Sequence, residues 1–181
     1  GVSVHTGVAS RAGGYGFSVE AAKAFEKTGA RLVLTADCGT SDHDALAYLG
    51  ERGVRTIVID HHQVPEVMPP ADALINPHRA DCGFPFKGLC SAGVAFYLSA
   101  AVRTALQKDE PAAKLPDPGT WLDLGALGTV CDMVPRMGEN RILVRHGLRV
   151  LAARKRQGLR ALADVARVSR SGPILEDDLG F

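Results

Sequence analysis

Two apolar runs, each ending in ionisable residues and separated by one helical segment, constrain this chain more than any other feature. The first, Arg31-Leu32-Val33-Leu34-Thr35-Ala36, runs into Asp37-Cys38-Gly39-Thr40-Ser41. The second, Thr56-Ile57-Val58-Ile59, runs into Asp60-His61-His62 and is bounded by Gly53 and Pro65. Aliphatic, β-branched runs of this length read as buried parallel strands. Between them, Asp42 to Arg52 carries a helical pattern, with Thr40 or Ser41 as the expected N-cap and Gly53 as the stop. Strand, helix and strand in that order form a βαβ unit, which requires parallel strands. Both strands then end at the same edge of the sheet, where open α/β sheets keep their ligands. Asp37, Asp60, His61 and His62 are predicted to project from that edge.

A polar strand terminus facing water is the bland explanation for such residues. One acid followed by two adjacent imidazoles at a strand tip outweighs it. A third acid, Asp132, sits in Val130-Cys131-Asp132-Met133-Val134-Pro135, after the apolar stretch Trp121 to Thr129. Alone, Asp132 reads as a cap for a following turn; beside Asp37, His61 and His62 it reads as a ligand. Carboxylate plus imidazole suits manganese, zinc or iron, and carboxylate oxygens also accept magnesium.

Further segments share an order and spacing. They are Gly14-Tyr15-Gly16-Phe17-Ser18-Val19-Glu20-Ala21, Ile75-Asn76-Pro77-His78-Arg79, Pro85-Phe86-Lys87-Gly88-Leu89, Ala92-Gly93-Val94-Ala95-Phe96 and Leu127 to Pro135, closing with Gly138-Glu139-Asn140-Arg141. With Thr35-Ala36-Asp37-Cys38-Gly39 and Ile59-Asp60-His61-His62, they make the chain resemble the DHH family of phosphoesterases almost end to end. Within that family it is most similar to RecJ-type single-strand-specific exonucleases.

The resemblance implies an α/β fold, a parallel β-sheet flanked by helices. It also implies a metal-dependent phosphodiesterase that degrades single-stranded DNA from 5′ to 3′ in recombination and repair. Phosphodiester hydrolysis needs a strong nucleophile at neutral pH and neutralised charge in the transition state, and a two-metal site holding Mn2+ or Mg2+ meets both needs. By the same resemblance Asp37 would bridge the metals, and His61 and Asp132 would complete one metal's shell. Asp60 and His62 would be the catalytic pair, Asp60 orienting an imidazole and His62 contacting phosphate or donating a proton. Ahead of the Asp37 strand no Asp-x-Asp is present to supply the family's first-strand motif, and the Gly-Gly-Gly-His stretch of its second, substrate-holding domain does not occur in this sequence. Residues 1–181 are therefore expected to be a fragment of the catalytic domain, incomplete at both ends and nearly inactive alone.

Substrate contacts rest on charge placement. Arg141, Arg145 and Arg149 recur every four residues, so on a helix they form one basic stripe, extended by Arg154, Lys155, Arg156 and Arg160. This stripe either tracks a nucleic-acid backbone or is a solvated face. Arg11 is a weaker candidate phosphate contact, and His78 serves either the site or its own loop. A net charge of +1 gives no global attraction to nucleic acid, so binding must come from such local patches.

The remaining signals are quieter. No apolar run approaches the roughly 20 residues of a membrane span and no signal-peptide pattern opens the chain, so a cytoplasmic setting without membrane partners is expected. Single-stranded nucleic acid is the expected partner, with repair or replication proteins as further candidates. Cys38, Cys82, Cys90 and Cys131 form no Cys-x-x-Cys pair and read as packing residues in a reducing compartment. Asp42-His43-Asp44 mimics a metal cluster, but helical geometry splays its side chains by about 100° per residue, leaving a capping and solvated role. Val2 to His5 reads as a strand end. Further helices are expected from Ser18 to Thr28, Ser91 to Gln107 (with Leu98, Val102 and Leu106 as an apolar stripe), Glu139 to Arg156 and Gly158 to Ala166, with a short strand at Ala73-Leu74-Ile75. Two rival functions share these features: a DHH phosphodiesterase of short oligonucleotides or cyclic dinucleotides, and a non-catalytic nucleic-acid-binding relative.

Overall fold

The computed structural model describes residues 3–8, 14–168 and 172–180. The chain divides after Phe84 into two compact units.

The first unit is built around a three-stranded sheet of order β1-β2-β3, with β1 at Leu32–Ala36, β2 at Arg55–Ile59 and β3 at Ala73–Ile75. Both pairings are parallel, and the first register sets Ala36 opposite Ile59. Helix α1 (Val19–Glu26) starts at Ser18, whose hydroxyl accepts the Ala21 N–H. Helix α2 (His43–Gly50) links β1 to β2 and stops before Gly53, which takes a left-handed φ of 71°. One sheet face buries Val33, Thr35, Thr56, Val58 and Leu74. Ala45, Leu46 and Leu49 of α2, with Phe17 and Ala22, complete that core. Removing such aliphatic surface from water is the main stabilising term here.

Several expectations are corrected. Strand β1 is not buried on both faces: among the described residues it lies at the edge of the sheet, with Leu32 and Leu34 46% and 53% exposed. Its apolar run is continuous, yet only Val33 and Thr35 face the core. The N-cap position of α2 belongs to Asp42, not Thr40 or Ser41. No strand forms over described residues 3–5, and Val2 lies outside the described residues.

The second unit is helical. It comprises α3 (Ser91–Asp109), a 3₁₀ turn (Pro118–Trp121), α4 (Leu122–Cys131), α5 (Gly138–Ala152), α6 (Gln157–Val165) and α7 (Asp177–Gly180). Helices α4 and α5 approach so closely that a Cβ at Gly147 would collide with the Leu122 carbonyl oxygen and the Ala126 methyl. Gly128 does the same between α4 and α3, where a Cβ would lie 2.5 Å from that of Ala92. Asn140 is fully buried, and its amide donates to the carbonyls of Gly88 and Pro135 at 2.6 and 2.9 Å. Buried Asp123 receives a two-pronged ion pair from Arg156, tying the start of α4 to the start of α6. The Leu98–Val102–Leu106 stripe on α3 does not cover a core throughout, because Val102 and Leu106 are 47% and 48% exposed.

Candidate metal centre

The site in the first unit grows out of strand register. Because Ala36 pairs with Ile59, Asp37 and Asp60 leave adjacent parallel strands at the same level. The Asp37 N–H bonds the Ile59 carbonyl at 2.9 Å and the Asp60 N–H bonds the Ile75 carbonyl at 3.0 Å, so the ladder runs one residue past each strand. Asp37 then adopts a left-handed φ of 65°, uncommon without glycine though best tolerated by Asn and Asp. Two residues on, Gly39 (φ 112°) has no room for a side chain, since a Cβ would lie 2.5 Å from Thr35 Oγ1 and 2.8 Å from Val58 Cγ1.

His61 Nε2 lies 3.4 Å from Asp37 Oδ1, and the His61 and His62 rings stand 4.6 Å apart. One donor atom each from Asp37, His61 and His62 lies within 4.8 Å of the others. An ion with bonds of about 2.0–2.2 Å holds neighbouring ligands roughly 3–3.6 Å apart, so the Asp37–His61 spacing fits a shared divalent cation. The mixed oxygen and nitrogen donor set agrees with that class of ion.

Asp60 is the buried hub beneath this cluster, 1% exposed. Its Oδ1 accepts the backbone N–H of His61 at 2.8 Å and of His62 at 3.3 Å, and meets His62 Nδ1 at 2.7 Å. Its Oδ2 accepts the Thr40 N–H at 3.2 Å. Burial pushes the carboxyl pKa up, but the bonds from Thr40, His62 and His61 outweigh it and hold Asp60 below the ordinary carboxylate value. Asn76 locks the same loop, its amide donating to the His62 carbonyl at 2.9 Å and Thr40 Oγ1 at 3.3 Å while its oxygen accepts the His78 N–H at 2.8 Å.

Neighbouring residues take definite places. Burial, followed by the charges of Asp42, Asp60 and Asp37, pushes the Cys38 thiol up to about 11, so it stays protonated at neutral pH. Asp42 does not serve as a solvated cap: it makes no side-chain cap bond and instead accepts the Phe17 N–H at 2.8 Å, 25 residues away. Asn76, Thr40, Asp42 and Tyr15 are site residues that local periodicity does not announce. Asn76 before Pro77 signals a turn, but not its span to Thr40.

In the second unit, Asp132 occupies the C-cap of α4, its N–H bonding the Gly128 carbonyl at 2.9 Å. Arg141, Arg145 and Arg149 lie exposed along α5. Arg154 and Arg156 do not extend that stripe. Helix α5 ends at Ala152, Arg156 is committed to Asp123, and Arg154 faces Asp164 at 3.9 Å. Arg11 lies outside the described residues.

A parallel sheet whose strand tips gather Asp37 with the Asp60-His61-His62 triplet defines a class, and the chain falls in it: the model for the DHH family, N-terminal domain, matches residues 4–129, and the chain belongs to that family. Among individual relatives, it is 44% identical over 171 residues to the single-stranded-DNA-specific exonuclease RecJ of Haemophilus influenzae. It is 42% identical over 173 residues to the RecJ of Escherichia coli. Each match covers 93% of this chain and 30% of the relative, so the chain spans about 30% of their length. The fold matches a crystal structure of exonuclease RecJ bound to manganese with a TM-score of 0.76 and 34% identity, over 93% of this chain and 40% of that one. A second match is RecJ from Thermus thermophilus in complex with Mn2+, with a TM-score of 0.72 and 34% identity over 90% of this chain and 23% of that one.

Proposed function

We propose that this chain contributes to a Mn2+- or Mg2+-dependent phosphodiesterase acting as a RecJ-like exonuclease on single-stranded DNA, in the 5′ to 3′ direction. The observation that carries the reading is the pair of donors Asp37 Oδ1 and His61 Nε2, 3.4 Å apart beside His62 at the carboxyl edge of a parallel sheet, in a chain of the DHH family. The relatives named as single-stranded-DNA-specific exonucleases and the manganese-bound RecJ structures support it. The same reading puts the activity in DNA recombination and repair, in the cytoplasm, with repair or replication proteins as partners.

Asp37 and His61 would hold a divalent ion, which supplies a nucleophile at neutral pH and neutralises developing phosphate charge. For Asp132 as a further ligand the proposal rests on the family resemblance alone. Asp60 fixes the His61–His62 loop through its buried carboxylate, and His62 is the group that contacts phosphate or supplies a proton. Arg11, Arg141 and Arg145 are proposed backbone contacts, each worth a shallower salt dependence of binding when removed.

The test is Mn2+-dependent release of mononucleotides from a labelled single-stranded oligonucleotide by the native-length protein, compared with His61→Ala. Turnover that vanishes with chelator, returns with Mn2+, and falls in the variant together with Mn2+ affinity is expected. Unchanged metal titration in His61→Ala would remove His61 from the ion's ligands.

A further inference from the structure

Tyr15 is 81% exposed, so its ring adds little to the core. Its hydroxyl is nevertheless placed with care. The oxygen lies 3.0 Å from His62 Nε2 and 3.1 Å from the Asp37 carbonyl oxygen, and the ring stands edge-on to His62 at 78°. His62 Nδ1 already faces the Asp60 carboxylate at 2.7 Å. A neutral imidazole against a carboxylate carries its proton on that nitrogen, so Nε2 and the Asp37 carbonyl oxygen are both acceptors that share the single Tyr15 hydroxyl hydrogen. Both ring nitrogens of His62 are therefore engaged by the protein, unlike a histidine kept open for a metal.

The loop that presents Tyr15 is itself built. Gly16 has a φ of 98°, and a Cβ there would lie 2.6 Å from Asp42 Oδ1. The next residue, Phe17, donates its N–H to Asp42 Oδ2 and buries its ring in the core. Asp42 sits at the start of α2, a few residues after the Asp37 strand tip. The clamp thus ties the Tyr15 loop to the same strand–helix connection that carries Asp37. An exposed aromatic held by a half-buried clamp, with its hydroxyl on two residues of the site, is arranged for that hydroxyl.

We propose that Tyr15 is a positioning residue: its hydroxyl fixes the His62 ring between Asp60 and the open side of the site, so that His62 serves the substrate phosphate and leaves metal binding to its neighbours. This inference deepens the proposed phosphodiesterase reading and rests on it for the identity of the phosphate.

The experiment compares wild-type native-length protein with Tyr15→Phe, which keeps the ring and removes only the hydroxyl, and with Asp42→Ala, which releases the loop. Three readouts are taken: Mn2+ affinity by loss of the free-ion electron paramagnetic resonance signal, kcat and KM on a 5′-phosphorylated single-stranded oligonucleotide, and the 15N resonances of the His62 imidazole in the metal-free state. Tyr15→Phe is expected to keep Mn2+ affinity within about twofold and KM nearly unchanged. Its kcat should fall on the order of tenfold, part of what a positioned proton donor supplies. The His62 Nε2 resonance should move toward that of an unbonded imidazole nitrogen, with Asp42→Ala giving the same pattern. Tighter Mn2+ binding in Tyr15→Phe, by threefold or more, overturns the proposal, because the hydroxyl would then be a competitor for a metal-binding nitrogen. Unchanged kcat overturns it as well. If the wild type shows no Mn2+-dependent cleavage, the phosphodiesterase reading fails, and the 15N signature alone decides whether Tyr15 positions His62.

Discussion

A single oxygen of Asp60 holds both the ring and the backbone of His62: Oδ1 meets Nδ1 at 2.7 Å and accepts the His62 N–H at 3.3 Å. The acid of the triplet is thus the frame on which its second histidine is mounted. Because Asp60 is buried and its other oxygen takes the Thr40 N–H, the loops after β1 and β2 are joined through one carboxylate.

Asp60→Asn tests that frame. The amide oxygen can replace one carboxylate oxygen, but the amide nitrogen must then face either the Thr40 N–H or the three donors of His61 and His62, a donor against a donor. We expect a loss of about 1–3 kcal/mol in unfolding free energy, the usual cost of leaving a buried donor unpaired. Mn2+ affinity should fall by about tenfold or more, since groups that orient ligands carry that weight. A variant as stable as wild type, with unaltered metal titration, would show that the charge on Asp60 is dispensable.

Asp72 supplies the pH-dependent prediction. Its carboxylate accepts the Thr56 N–H at 2.7 Å and the Arg55 guanidinium at 3.1 Å, fastening the residue before β3 to the start of β2. The Thr56 bond first, then the Arg55 bond, hold its pKa below the ordinary 3.8. A carboxyl depressed in the folded state stabilises it above the unfolded value and loses that contribution as pH falls through the folded one. Wild type should therefore unfold at higher urea than Asp72→Asn at neutral pH, and the gap should close as pH drops below about 4. A gap that stays constant from neutral to acidic pH would mean that the ionised form is not what matters.

What could be read in advance follows from the range of the signal. Strand type, the parallel arrangement and the grouping of Asp37, His61 and His62 at one sheet edge come from short runs and from one βαβ unit, where periodicity and crossover length carry information. The exposure of Leu32 and Leu34 is not legible, because a continuous apolar run does not reveal that only one face of the strand is covered among the described residues. Asp42 was misread for a related reason. Helical splay bears on whether Asp42, His43 and Asp44 can share an ion, but it says nothing about Phe17, 25 residues away, where the Asp42 carboxylate finds its partner. Long-range polar contacts leave no local pattern.

Gly147 makes the second unit testable. Helices α4 and α5 meet where a methyl at this position would strike a backbone carbonyl and the Ala126 methyl. Neither can yield as a flexible side-chain tip would. Gly147→Ala gains helix propensity worth at most about 1 kcal/mol, while overpacking costs about 1–3 kcal/mol or more. The net change should be destabilising, read as a lower urea midpoint for the second unit. A stabilised variant would mean that α4 and α5 sit farther apart than the structure has them.

Asn76 separates donation from acceptance within one side chain. Its oxygen accepts the His78 N–H, and its amide donates to the His62 carbonyl and the Thr40 hydroxyl oxygen. Alanine removes all three bonds in a residue only 3% exposed, so a loss of about 2 kcal/mol is expected, together with a looser His62 loop. Aspartate is the sharper variant. It preserves the acceptor for His78 but sets an oxygen against the His62 carbonyl, which can only accept. If the donor to His62 is what Asn76 is needed for, Asn76→Asp should lose at least as much stability as Asn76→Ala, despite near-identical shape, and the His62 amide should exchange with solvent faster in both. An aspartate variant indistinguishable from wild type would assign Asn76 to the His78 turn instead, and leave the His62 loop to Asp60 alone.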